Sequence, residues 1–221
     1  MSGAVLAGRR VLVSAGPTYE DIDPVRFIGN RSSGKMGFAL AAAATGRGAR
    51  VVLVAGPTAL PTPGTVERID VRSAAEMREA VLGALPADVY IGAAAVADYT
   101  PRSTAAGKIK KSGQAMTLEL VPTADILAEV AAHAQRPDLV VGFAAETSEL
   151  ERNARGKLEA KGLDMIAANL VGVAGSGFES DDNALSVYWP GGARELGPSS
   201  KMRLAGELMD LVAERLKETG R

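Results

Sequence analysis

The sequence predicts an open α/β fold: a three-layer, Rossmann-like, mostly parallel sheet covered by helices, with a C-terminal antiparallel hairpin extension. Two observations predict it. Apolar, strand-like runs alternate with helical patterns along the chain, the order that builds a parallel sheet with crossover helices. Polar residues gather where those apolar runs stop, and in such a sheet that edge holds ligands. With 221 residues, 47% of them apolar, the chain can build a substantial core, and we read residues 1–221 as a single domain.

Residues 11–15 form the first strand and stop at Gly16-Pro17. A long polar loop follows, and Ser32 or Ser33 caps a helix over 35–44 that ends at Gly46 or Gly48. Residues 51–55 make a second strand broken by Gly56-Pro57, and 66–71 make a short one. Ser73 then caps a helix from 74 to about 85. The buried run 89–96 is the next strand and leads into Asp98-Tyr99. A short strand at 117–121 precedes a helical stretch at 125–134, a central strand at 139–145 and a charged helix at 149–161. Residues 165–171 form a strand ending near Asn169, 184–189 and 193–196 pair around Pro190-Gly-Gly192, and 201–217 make a closing helix. Two segments interrupt the alternation: the lysine-rich 102–113, expected to be a mobile loop, and the Gly-rich 172–182.

Composition removes whole classes of function. A formal net charge of −1 argues against binding nucleic acid or a membrane surface through bulk charge. The chain has no cysteine, which excludes disulfides, thiolate zinc sites and a thiol nucleophile and fits a cytoplasmic protein. His133 is the only histidine, in an Ala-rich helical stretch, so histidine triads and His-based metal clusters are out. The apolar residues 1–6 are too few for a signal peptide or a membrane span. What remains for catalysis is carboxylates, lysines, arginines, amides and a divalent metal, an inventory suited to phosphoryl or nucleotidyl transfer.

The polar loop after the first strand is the most informative segment. It runs through Asp23-Pro-Val-Arg26 and Asn30 to Ser32-Ser-Gly-Lys-Met-Gly37. Gly29-Asn-Arg-Ser-Ser-Gly-Lys35 has P-loop spacing, but Met36 stands where a magnesium-binding hydroxyl belongs, so a P-loop NTPase is rejected. No G-x-G-x-x-G follows the first strand either, which weakens a dinucleotide or flavin binder. Ser32, Ser33 and Gly34 still occupy a helix start, where unpaired N–H groups favour phosphate. Lys108-Ile-Lys-Lys111 reads either as a solvated charge run or as a lid over polyphosphate. Lys157 and Lys161, four apart on one helix face, read either as surface partners of Glu149 or Glu159 or as anion contacts.

Taken together, Ala15-Gly-Pro-Thr18, Asp23-Pro-Val-Arg26 with Asn30, Ser32-Ser-Gly-Lys-Met-Gly37, Ala94-Ala-Val-Ala-Asp-Tyr99, Lys108-Ile-Lys-Lys111, Gly142-Phe-Ala-Ala-Glu-Thr147 and Asn183-Ala-Leu resemble the bacterial phosphopantothenate–cysteine ligases. The resemblance implies a reaction in which CTP activates 4′-phosphopantothenate as an acyl-cytidylate, releasing pyrophosphate, and L-cysteine then displaces CMP. An ATP-using version of the ligase and a generic nucleotide-binding kinase are the alternatives. It also implies Asn30, Lys108 and Arg26 as catalytic residues. Nucleotide binding falls by the same resemblance to Gly16, Ser32, Ser33, Gly34, Gly92, Ala93, Ala94, Asp98, Lys108, Ala124, Asp125, Ile126, Leu127, Phe143, Lys157 and Lys161. Mg²⁺ or Mn²⁺ is the implied cofactor, its ligands unassigned, and no flavin is expected in this chain. A homodimer is implied, with 172–200 as its extension, together with a flavin-dependent decarboxylase as a fused or separate partner. One departure stands out: Pro122-Thr-Ala-Asp125 replaces the usual Lys-Asn-Pro-Asp before the apolar pair.

Overall fold

A computed structural model describes residues 4–170 and 182–218. In chain order it contains β1 (Arg10–Ala15), β2 (Tyr19–Asp21), β3 (Phe27–Gly29), α1 (Lys35–Thr45), β4 (Arg50–Ala55), β5 (Glu67–Asp70), α2 (Ala74–Gly83) and β6 (Val89–Gly92). These are followed by β7 (Tyr99–Pro101), β8 (Leu120–Pro122), α3 (Ile126–Ala131), β9 (Leu139–Glu146), α4 (Leu150–Ala160), β10 (Met165–Leu170), β11 (Asp182–Trp189), β12 (Gly192–Ser200) and α5 (Lys201–Glu218). The main sheet has eight strands in the order β12-β11-β10-β9-β6-β1-β4-β5. From β5 to β10 the pairings are parallel, and β11 and β12 add an antiparallel hairpin at one side. The fold class read from the sequence is the observed one.

Period-two alternation divides the core between two layers. Val11, Val13 and Ala15 of β1 join Phe38 and Leu40 of α1 and Leu204, Leu208 and Val212 of α5. Leu12, between them, turns to the other face with Met77 and Val81 of α2, Val130 of α3 and Ala154 and Leu158 of α4. Strands covered on both faces read as continuous apolar runs, which is why β1, β4 and β9 are plain in the sequence. At the opposite edge from the ligand crevice, Asp88 accepts from the Arg10 N–H at 2.6 Å and from the Arg9 guanidinium at 2.7 Å. Burial alone would push the Asp88 carboxyl up, but these donors outweigh it and hold it below the usual range.

Several expectations need correction. The long polar loop is a two-stranded ribbon, β2 and β3, with the Tyr19 and Phe27 rings stacked 3.9 Å apart and the Arg72 guanidinium over both. The lysine-rich segment connects a second antiparallel ribbon, β7 and β8. Strand β6 stops at Gly92, not at residue 96, because residues 93–95 bond across to the Gly16 turn: the Ala95 N–H donates to the Gly16 carbonyl at 2.9 Å. Neither serine caps α1; its N-cap is Gly34 at φ 77°, a left-handed conformation that glycine adopts without penalty. Ser73 does cap α2, accepting from the Glu76 N–H at 3.2 Å. The first part of the proposed dimerisation extension, 172–181, lies outside the described residues.

Candidate functional site

Two clefts open side by side at the carboxyl edge of the parallel strands, of about 500 Å³ and about 360 Å³. Ala94, Val96 and Phe143 line both, so they share one wall.

The larger cleft is built on the start of α1. Gly37 sits so close to β1 that a Cβ there would lie 2.4 Å from the Ala15 Cβ, which brings the helix end down onto the sheet edge. Gly16 lies beneath Gly34, with 3.4 Å between a Gly34 Cβ and the Gly16 Cα. Since α1 opens without a side-chain cap or an acidic residue in its first turn, its end suits an anion. Arg31, Lys35 and Lys201 line the same cleft with Ser32, Ser33, Asn169 and Asn183, and no Asp or Glu is among the described lining residues. Asn30 donates to the Val96 carbonyl at 2.9 Å and the Ala95 carbonyl at 3.4 Å, tying the polar arm to the loop after β6. The same amide carries an oxygen that can accept.

The smaller cleft brings together Gly92, Ala94, Asp98, Ala124, Asp125, Ile126, Leu127, Phe143, Lys157 and Lys161, drawn from sequence positions far apart. Lys157 pairs with Glu146 at 2.7 Å and Lys161 with Asp125 at 2.8 Å. The surface partners weighed from the sequence, Glu149 and Glu159, are not the ones used. Burial would raise the Asp125 carboxyl, yet Lys161 and the N–H groups of Ala128 and Leu127 hold it below its ordinary value while it caps α3. The Ser14 and Tyr90 hydroxyls meet at 3.0 Å on the floor, and burial pushes the Tyr90 phenol up to about 12, so it stays protonated as a hydrogen-bonding group. In the departing segment, Thr123 donates its hydroxyl to the Ala97 carbonyl at 2.6 Å and its N–H to the Asp98 carbonyl at 3.0 Å. That anchors 122–125 to the rim without the lost lysine and asparagine.

Arg26 and Lys108 line neither cleft. The Arg26 guanidinium is bonded to Asp23 at 2.6 Å and to the Ile109 carbonyl at 2.5 Å, and Lys108 is exposed on the connection between β7 and β8. Among the polar strand ends, Asn169 lines the larger cleft and Glu146 reaches the smaller one through Lys157, whereas Gly56-Pro57 lies in neither. Sequence reasoning missed Lys201, buried at the first position of α5; only its return through β11 and β12 brings it to the cleft. Among the described residues no group of His, Asp or Glu could hold a metal ion by itself. The donor set fits a cation that arrives on substrate phosphates better than a resident one. No described helix is long and apolar enough to cross a membrane.

The family model for the DNA/pantothenate metabolism flavoprotein C-terminal domain matches residues 6–216. The chain belongs to this family. As a C-terminal domain of this type, it is 52% identical over 215 residues to the coenzyme A biosynthesis bifunctional protein CoaBC of Vibrio cholerae, covering 96% of this chain and 54% of that protein. The protein of the same name from Bacillus subtilis is 48% identical over 222 residues, covering 99% of this chain and 54% of its own length. This domain therefore spans about half the length of the curated relatives it matches. A crystal structure of the C-terminal domain of CoaBC superposes with a TM-score of 0.83 at 39% identity, covering 97% of this chain and 99% of that one. A Cab2 variant in complex with phosphopantothenate-cysteine shares the fold, with a TM-score of 0.75 at 16% identity, covering 96% and 87% of the two chains.

Proposed function

We propose that this domain joins 4′-phosphopantothenate to L-cysteine at the expense of CTP, through an acyl-cytidylate, in the synthesis of coenzyme A. The observation that carries the reading is the pair of clefts sharing one wall. The smaller suits the base and ribose, and the larger, acid-free and lined by Arg31, Lys35 and Lys201, suits the triphosphate. Relatives named for coenzyme A biosynthesis support it, as does a protein of the same fold holding phosphopantothenate-cysteine.

The chemistry follows from charge. A triphosphate brings about four negative charges, and the end of α1 offsets only about half of one. The cleft cations, Mg²⁺ or Mn²⁺ carried on the phosphates, and Lys108 supply the rest. A carboxylate oxygen of 4′-phosphopantothenate bonds to the α-phosphorus as the α–β bridging bond breaks, and pyrophosphate leaves. The cysteine nitrogen then bonds to the acyl carbon, loses a proton, and CMP departs. Asn30 holds the acyl phosphate, donating and accepting through one amide, and Lys108 neutralises the departing negative charge. A homodimer and a flavin-dependent decarboxylase partner complete this reading, in a cytoplasmic setting.

The test supplies 4′-phosphopantothenate, cysteine and Mg²⁺ with CTP or ATP, and measures pyrophosphate and nucleoside monophosphate. CTP should give both products. Activity with ATP alone would select the ATP-using version, and γ-phosphate release would select a kinase. Failure with both nucleotides would end the ligase reading.

A further inference from the structure

Asp23 lines neither cleft and the resemblance gives it no role, yet it is the most heavily bonded carboxylate in the polar arm. Its side chain is fully buried. Oδ1 accepts from the N–H groups of Val25 and Arg26 at 2.8 and 2.9 Å. Oδ2 accepts from the Arg26 guanidinium at 2.6 Å and, across to the second ribbon, from the Ile109 N–H at 3.1 Å. The Ile109 carbonyl accepts from the same guanidinium at 2.5 Å, so both polar groups of this one peptide residue are held from the first ribbon. Ile109 is the neighbour of Lys108. Further back, the Ala105 N–H donates to the Ile22 carbonyl at 3.0 Å and the Thr104 hydroxyl to the Asp21 carbonyl at 3.0 Å.

We infer that Asp23, with Arg26 as its bridge, is a positioning residue: the pair clasps the backbone at Ile109 and sets where Lys108 stands. This rests on the ligase reading for the role of Lys108, whereas the clasp itself does not. Charge-assisted bonds from a buried carboxylate are the strong kind, and losing the charge while keeping the shape weakens each of them. Burial would raise the Asp23 carboxyl, but the N–H donors of Val25 and Ile109 and the Arg26 guanidinium outweigh it and hold it far below the ordinary range. The clasp holds Ile109 through both its N–H and its carbonyl, and acts as a fixture.

The experiment uses two readouts, tryptic cleavage of wild type and Asp23→Asn, and turnover of these two together with Lys108→Gln and the double variant. The first is the rate of tryptic cleavage after Lys108, whose scissile bond precedes the clasped Ile109. Asp23→Asn should speed that cut about tenfold while cleavage after Arg215 in α5 stays unchanged. The second is kcat for pyrophosphate release with CTP, 4′-phosphopantothenate and cysteine. Asp23→Asn should lower kcat about tenfold with little change in the KM for CTP, and should add nothing further in the Lys108→Gln background. An unchanged cut at Lys108, or a general rise in cleavage including α5, overturns the clasp. Losses in kcat that multiply in the double variant overturn the action through Lys108. A wild type inactive with both CTP and ATP overturns the ligase reading and the catalytic half of this inference, while the cleavage result still decides the clasp.

Discussion

The sheet core and the two ribbons above it are held by different forces. The side chains of Leu12, Val13, Leu53 and Ile91 are wholly withdrawn from water, and apolar burial fixes them. The ribbons bury little. Val25, Phe27, Tyr99 and Leu120 are exposed large apolar residues, and the arms are stitched by Asp23, Arg26, Asn30 and Arg72. The difference assigns tasks: the core presents a fixed edge with two preformed clefts, while the polar stitching carries the groups proposed to act on the reacting bond. Polar stitches are directional, so they set where a group stands above the edge without an apolar core beneath it.

The contrast can be broken from either side. Leu12→Ala, at the centre of the sheet, should cost about 2–5 kcal/mol of stability, read by denaturant unfolding, with turnover per folded molecule nearly intact. A selective loss of turnover instead would show that core and site are not separable. Lys108→Gln should reduce pyrophosphate release about 10²–10³-fold and move the melting temperature by less than about 2 °C. A matching loss of thermal stability would make this lysine structural. Asn30→Asp places an anion beside an anionic intermediate and should slow turnover about tenfold or more; normal steady-state rates would remove Asn30 from the site.

The smallest effect belongs to the far edge. The Asp88 carboxyl is held below its unfolded value, so its stabilisation is full above about pH 4 and is lost as pH falls through the folded value. Asp88→Asn should cost about 1 kcal/mol at pH 7 and flatten the decline of stability in acid, measured by thermal melts from pH 7 to pH 3. An unchanged acid profile would assign that decline to other carboxylates.

How legible each part was in the sequence follows the same division. Strands β1, β4, β9 and β10 announce themselves as unbroken apolar runs because both of their faces are covered. Three-residue strands such as β2 and β3 are too short to show a period of two, whereas β8 overlaps the short strand expected at 117–121. The α1 cap failed for a local reason: Ser33 and Gly34 are adjacent, and nothing in the letters says that glycine takes the cap position in a left-handed conformation. In the site, Gly92, Asp98 and Lys161 came from motif resemblance, and the topology gathers them in one cleft. Lys201 had no such guide, because a lysine opening a C-terminal helix looks like any solvated charge until the sheet order places it.

The wall formed by Ala94, Val96 and Phe143 has a kinetic consequence. An intact nucleoside triphosphate spanning both clefts, as proposed, would be a bivalent ligand, each half held at the high effective concentration set by the other. On the proposed reading, breaking the α–β phosphate bond frees pyrophosphate within the larger cleft. Pyrophosphate then keeps only its own contacts and loses the avidity of the whole, so the bond cleavage proposed to drive the reaction also loosens the grip on what it leaves behind.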